Sequence, residues 1–407
     1  MILSLVVAAI TFFPFHTVIH FHCKLRTQTH HRGQKMPHKR PPMPPKDRFW
    51  GPITGHALQI RADRLGFIHR SMLELGDFVE MWVGPRRTFV ITDPDAVEWV
   101  MKTNAKNYPK NTPGYKKVSE VIGDGVFTEV GESWRNIRKV VQPFFNPRNF
   151  SRYQQIVHDE CEQALQEIHR GLGGEINFSL IALNYTLRVL GQSMFTQDLG
   201  RFTDVVNREF AILVDLTEKR LTRILPFPTP TRRREDREFL ASLKEIDQVI
   251  LDVINNSKAQ PRDPEKNFIH AFLEADENVS ERFLIDQVKT MVFAGHETSA
   301  NVLTWIGHYL VTYPEWADQL REEIALQFGE SDIDLSQIER LPKLSMFVRE
   351  CMRLRPPAWS FGRIALEADE IMGHAIVPGD LMTISPFLVH HHPKLWEKPE
   401  HLETFRF

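Results

Sequence analysis

The sequence predicts a mainly α-helical protein with a small β-sheet region. Apolar residues recur at spacings of three and four over most of the stretch from Arg135 to Tyr313, while strand-like alternation is confined to short pieces at 78–83, 88–91 and 381–385. The chain has 407 residues, 42% hydrophobic and 25% charged, enough apolar material for a sizeable core, and no interior Gly/Ser linker divides it. One large fold over residues 51–407 is therefore expected, preceded by two short segments of different character.

Residues 1–22 have no charged side chain other than histidines that can protonate. Leu3, Leu5, Val6, Val7, Ile10, Phe12 and Phe13 begin an apolar stretch near the ~20 residues that cross a bilayer. Lys24, Arg26, Arg32, Lys35, Lys39 and Arg40 follow, so the expectation is a membrane protein with a single N-terminal anchor and its main domain cytoplasmic. A cleaved signal peptide is disfavoured, because a basic leading region and a small-residue cleavage site are both missing. Residues 23–50 read as a basic, proline-rich juxtamembrane linker, in which Pro41-Pro42-Met43-Pro44-Pro45 forms a stiff spacer. Nucleic acid is not an expected partner. Lys and Arg number 50 against 52 Asp and Glu, the formal net charge is -2, and no basic face interleaved with aromatics is evident, so the basic run suits anionic lipid.

Helical patterns cover 153–169, 179–194 and 236–257. Pro226-Phe227-Pro228-Thr229-Pro230-Thr231, running into Arg232-Arg233-Arg234, reads as a connector, and residues 256–267, with Pro261 and Pro264, read as a loop before a central helix. That helix is expected from Ser280 to Tyr313, where Val288, Met291, Val292, Leu303, Ile306 and Leu310 keep helical spacing and Pro314 stops it. Within it Thr298 lies four residues after Ala294, so its hydroxyl can reach the Ala294 carbonyl and loosen one rung, while Gly295 removes a side chain. A small groove with a polar lining follows, and Glu297 beside it can relay protons if water enters. Taken alone, a Gly-x-x-Thr pattern also describes ordinary helix packing.

A second helix, about 343–354, places Glu350 and Arg353 three residues apart, within reach of each other. On a surface such a pair is worth ~0.3 kcal/mol; buried, it costs ~3–5 kcal/mol to break. The three cysteines, Cys23, Cys161 and Cys351, are too scattered for a metal site or a disulfide framework, and Cys351 suits a small buried hydrophobe. His390-His391-His392 reads as an exposed or hydrogen-bonded turn, since adjacent imidazoles do not converge on a metal; no protein metal ligand is expected.

Several of these segments, in their order, resemble the cytochrome P450 family. They are Gly131-Glu132-Ser133-Trp134-Arg135-Asn136-Ile137-Arg138, Ala294-Gly295-His296-Glu297-Thr298-Ser299, Glu350-Cys351-Met352-Arg353 with Pro356 and Pro357, Arg363 beyond that turn, and the approach from His390 to Trp396. The resemblance runs from roughly residue 40 to 407. It implies haem b, an electron-donating reductase or ferredoxin, and insertion of one oxygen atom into an apolar small molecule. By the same resemblance Ala294, Gly295, Glu297 and Thr298 form the oxygen-binding and proton-delivery segment, while Trp134, Arg138 and Arg363 contact haem propionates. Arg406 then completes a structural triad with Glu350 and Arg353. Two departures stand out. Thr404-Phe405-Arg406-Phe407 replaces the usual Pro-Glu-Arg-Phe, and the sequence stops at Phe407, before the cysteine loop that ligates iron in the family. Haem b is accordingly an expectation for a complete relative, not for these 407 residues as a thiolate-ligated enzyme. The alternative is a non-enzymatic membrane-anchored remnant that binds a partner or apolar ligand.

Overall fold

A computed structural model describes residues 40–46, 50–146, 150–221, 229–329 and 335–407. The sheet is small and joins the two ends of the described chain. Strands β1 (Phe78–Val83) and β2 (Arg86–Ile91) form an antiparallel hairpin with Phe78 opposite Ile91; the left-handed φ of 59° at Gly84 fits its tight turn. Strand β3 (Phe361–Ile364) lies antiparallel to β6 (Leu381–Ile384), and β6 runs parallel to β2. A separate hairpin, β4 (Asp369–Ile371) with β5 (His374–Ile376), turns through Met372 and Gly373, both at positive φ. Phe78, Phe89, Ile91, Met382 and Ile384 bury one side of this region, as the alternation predicts. The Arg87–Asp380 ion pair ties the hairpin to the segment before β6.

Helices make up the rest. Besides short turns of helix at Gly51–Thr54, Ala57–Ala62 and Pro94–Glu98, they are α1 (Arg64–Leu75), α2 (Pro113–Ile122), α3 (Gly131–Val141), α4 (Phe150–Arg170), α5 (Phe178–Phe195), α6 (Thr203–Leu221), α7 (Pro230–Lys258), α8 (Phe268–Ala275), α9 (Glu281–Thr312), α10 (Pro314–Phe328), α11 (Pro342–Leu354) and α12 (Pro386–His390). The central helix α9 matches its sequence signals at both ends: the Ser280 hydroxyl caps Phe283 N–H, and Pro314 opens the next helix. Its first half joins the core of α5, α6, α7 and α8 through Val288, Met291 and Val292. Its second half joins α4, α10 and α11 through Ala300, Val302, Leu303 and Ile306. Lys289, almost wholly buried, reaches Asp247 of α7 at 2.6 Å.

Three expectations need correction. Helix α7 starts at Pro230, capped by the Thr229 hydroxyl, so the charged stretch is its first turns and the connector is shorter than read; residues 226–228 lie outside the described residues. Proline is as suited to the first turn of a helix as it is unsuited to the interior. At the other end α7 continues to Lys258 with Ser257 buried, and the loop before α9 is shorter than 256–267 because Asn267 already caps α8. The third concerns the membrane. Among the described residues no helix is long and apolar enough to cross one, which overturns the assignment of a membrane protein with a cytoplasmic main domain. Residues 1–22, on which the anchor was placed, lie outside the described residues.

Candidate functional site

Helix α9 is crowded on one side and open on the other. Phe210 of α6 meets Phe293 edge to face at 5.2 Å and lies 6.3 Å from the His296 ring. Gly295 faces α5, where an added Cβ would come within 3.1 Å of Leu190 Cδ1, so the missing side chain allows close helix packing. Burial draws the His296 ring down to about 4, against a weaker opposing effect of the Leu183 carbonyl, which keeps it neutral at physiological pH. Ala294 is exposed although residues 284–292 before it and Ala300, Val302 and Leu303 after it are buried, and Glu297 and Thr298 are half-buried beside it. The Thr298 hydroxyl donates to the Ala294 carbonyl at 2.6 Å, the bond the spacing predicts. Burial alone raises the Glu297 carboxyl above its ordinary range, which suits a group that exchanges protons.

A second site gathers cations from three parts of the chain. Trp134 and Arg138 stand one turn apart on α3, and the guanidinium lies 5.1 Å from the indole centroid. Lys110 comes to within 5.8 Å of the same ring. The segment carrying it is pinned to β3: Ile364 N–H donates to the Pro109 carbonyl and Leu366 N–H to that of Asn107. This brings Arg363 close to Lys110. Burial, then the Arg363 charge, draw the Lys110 ammonium down to about 8; Arg138 adds to this and only Glu129 opposes it. Among the described residues these cations contact ring faces and backbone carbonyls, not carboxylates: Lys110 donates to Val126 O at 2.9 Å and Arg363 to Gly362 O at 2.8 Å. Three half-buried positive groups in mutual repulsion call for an anion. Trp134, Arg138 and Arg363 were all legible as candidates. Lys110 was not, because nothing in Tyr108-Pro109-Lys110 distinguishes it until β3 is in place.

The third cluster is closed. Glu350 and Arg353, both essentially without exposure, form a two-pronged pair at 2.8 Å for each bond. Arg353 also donates to the carbonyls of His390, Pro399 and His401, while Glu350 accepts from the N–H of Glu403. Arg406 Nε lies 3.3 Å from Glu350, so the third member stands where the resemblance puts it.

The histidine tract corrects one half of its reading: it is hydrogen-bonded but not exposed. His390, His391 and His392 are all buried; His391 stacks on Phe387 at 4.0 Å, and His392 Nε2 lies 2.7 Å from Asp77. Among the described residues no group of histidines, cysteines and carboxylates could hold a metal ion. Cys161 and Cys351 are packed in the helical core, and burial pushes the Cys351 thiol well above its ordinary range, so neither offers a thiolate to the groove. Cys23 lies outside the described residues.

An open groove on a central helix, a half-buried cation cluster and a closed glutamate–arginine cluster, on a helical fold with a small sheet, define the class. The cytochrome P450 family model matches residues 43–407, and the chain belongs to that family. Cyclooctatin synthase from Streptomyces melanosporofaciens is 26% identical over 362 residues, which is 88% of this chain and 78% of the relative. Cyclooctat-9-en-7-ol 5-monooxygenase from the same organism is 27% identical, with the same coverage of both chains. Among solved structures, a cytochrome P450DA haem domain superposes with a TM-score of 0.76 at 20% identity, covering 90% of this chain and 81% of that one. Family membership implies a haem cofactor, a reductase or ferredoxin as electron donor, and monooxygenation of apolar substrates. The cation cluster suits a group with anionic edges, and the exposed surface at Ala294 suits one that is largely apolar.

Proposed function

We propose that this protein, once a thiolate-bearing segment of the kind the family uses completes the haem site, is a haem-dependent monooxygenase that places one oxygen atom of dioxygen on an apolar, terpene-like substrate. Haem, when bound, supplies the oxygen chemistry. Arg138, Arg363 and Lys110 would hold its propionates by charge-assisted hydrogen bonds, and Trp134 lies against two of these cations. On α9 the Thr298 hydroxyl holds water against the groove, and the Glu297 carboxyl, kept easy to protonate by burial, exchanges a proton with that water. Ala294 leaves room beside them because its side chain is one methyl group. Glu350, Arg353 and Arg406 are structural.

The observation that carries this reading is the set of three cations without a carboxylate partner among the described residues. The substrate class rests on the relatives, one of which is named for oxygenation of cyclooctat-9-en-7-ol. The test supplies the protein with haem, a reductase or ferredoxin system, labelled dioxygen and a panel of cyclic terpene hydrocarbons and alcohols. One labelled oxygen atom in the product is the expected outcome. Haem uptake with no labelled product from any member of the panel would contradict the substrate class, and absence of haem uptake would contradict the whole reading.

A further inference from the structure

The closest link between α9 and its neighbour α5 lies opposite the groove. Thr186 of α5, 5% exposed, points its hydroxyl at the His296 carbonyl at 3.1 Å, while the Ala182 and Leu183 carbonyls of its own helix lie at 3.0 and 3.1 Å. Among the described residues its partners are all carbonyls, so the hydroxyl donates and its single hydrogen is shared among them. In a continuous helix the His296 carbonyl is also the acceptor of the N–H four residues on, at Ala300. Two residues earlier, the Ala294 carbonyl has the Thr298 hydroxyl as its second donor. Two nearby carbonyls of α9 thus each carry a hydroxyl as a second donor, one from Thr298 of α9 itself and one from α5. Side-chain donors that enter the ladder are an identified cause of local bending. Gly295, between them, lets α5 approach closely enough for the second bond.

From this geometry we infer that Thr186 is a positioning residue: by holding the His296 carbonyl it sets the local course of α9 and so the placement of Glu297 and Thr298 toward the groove. The inference rests on the proton-delivery reading of those two residues. It assigns a role to a side chain that touches neither groove nor ligand and that, judged from α5 alone, would only bond back to its own helix.

Thr186→Val keeps the shape and removes the donor; Thr186→Ser restores a hydroxyl. Amide hydrogen exchange over residues 296–302 of the full protein reads the contact directly, without any bound cofactor. Thr186→Val should speed exchange there roughly three- to tenfold, the factor one such hydrogen bond is worth, and Thr186→Ser should return it toward the parent rate. In the haem-loaded protein, product formed per reduced nicotinamide should fall with Thr186→Val and recover with Thr186→Ser. Unchanged exchange in the valine variant, even with a lower melting temperature, overturns the inference, because the hydroxyl then serves α5 alone. Faster exchange with unchanged coupling also overturns it, provided Thr298→Ala lowers coupling. If Thr298→Ala leaves coupling intact, it is the proton-delivery reading that fails, and the positioning role falls with it even though the exchange data would still register the contact.

Discussion

Two buried groups of charges in this protein have opposite accounts. Around Glu350 every charge meets its complement: the carboxylate is shared by Arg353, Arg406 and a backbone N–H, and the spare Arg353 donors find three carbonyls. Around Trp134 three cations face Glu129 at a distance and bond no carboxylate among the described residues, and burial with the Arg363 and Arg138 charges makes the charged form of Lys110 harder to hold. In the sequence the first was legible as a Glu350/Arg353 pair, while Trp134, Arg138 and Arg363 were tied together only by the resemblance. The difference shows that burial of charge is not itself a functional signal. A closed cluster fastens the segment after β6 onto α11, whereas a cluster lacking its counter-charge is organised for something that brings one.

The largest effect should come from opening the closed cluster. Glu350→Ala leaves Arg353 buried without its carboxylate and Arg406 with Glu403 alone, and removing one partner of a buried pair costs ~3–5 kcal/mol. Urea unfolding followed by circular dichroism should show that loss in the midpoint; a change below ~1 kcal/mol would place the cluster with ordinary surface pairs.

Removing a cation from the open cluster should do the reverse. Arg138→Ala gives up a ring contact of ~0.5–1 kcal/mol but relieves repulsion with Lys110, so unfolding should barely move. Haem affinity, read by absorbance titration, should instead drop ~10–100-fold, the value of a hydrogen bond between charged groups. Large destabilisation with intact haem affinity would reverse the contrast between the clusters.

The smallest expected effect is a pH dependence. The Lys110 pKa is about 8 in the fold against 10.5 for the unfolded chain. Below about 8 both states carry the proton; above it the folded state sheds the proton first, so stability of the unliganded protein rises with pH from about 8 toward 10.5. An anionic ligand favours the charged ammonium, so haem affinity should fall as pH climbs past about 8, and Lys110→Met should flatten both trends. Unfolding midpoints and haem titrations across that interval check the two signs.

Much of this organisation was readable in advance, for identifiable reasons. Helix α9 announces itself through the Ser280 cap, its apolar spacing and Pro314, and the Thr298 bond follows from a four-residue interval. Strand β1 reads from its apolar and aromatic residues and buries both faces, Phe78 on one and Val79 with Met81 on the other. What the sequence hid depends on long-range pairing. Lys110 joins Arg363 only because the backbone near Pro109 bonds to β3, and Thr186 meets His296 only because α5 and α9 pack at Gly295. The buried histidine tract belongs here too: His392 is held by Asp77, at the start of the sheet, a partner that no local pattern discloses. Pro230 misled for a local reason, since a proline that ends one helix and one that begins the next look alike in sequence.

The central claim is that the cation cluster awaits the carboxylates of haem. Its most direct measurement compares the affinity of haem with that of haem dimethyl ester, whose ring is the same and whose propionate charges are gone. The account predicts that the ester binds at least ~10-fold more weakly, as expected for loss of charge-assisted hydrogen bonds, and that Arg138→Ala shrinks the difference. Equal affinity for the two, in the parent protein and the variant alike, would contradict it.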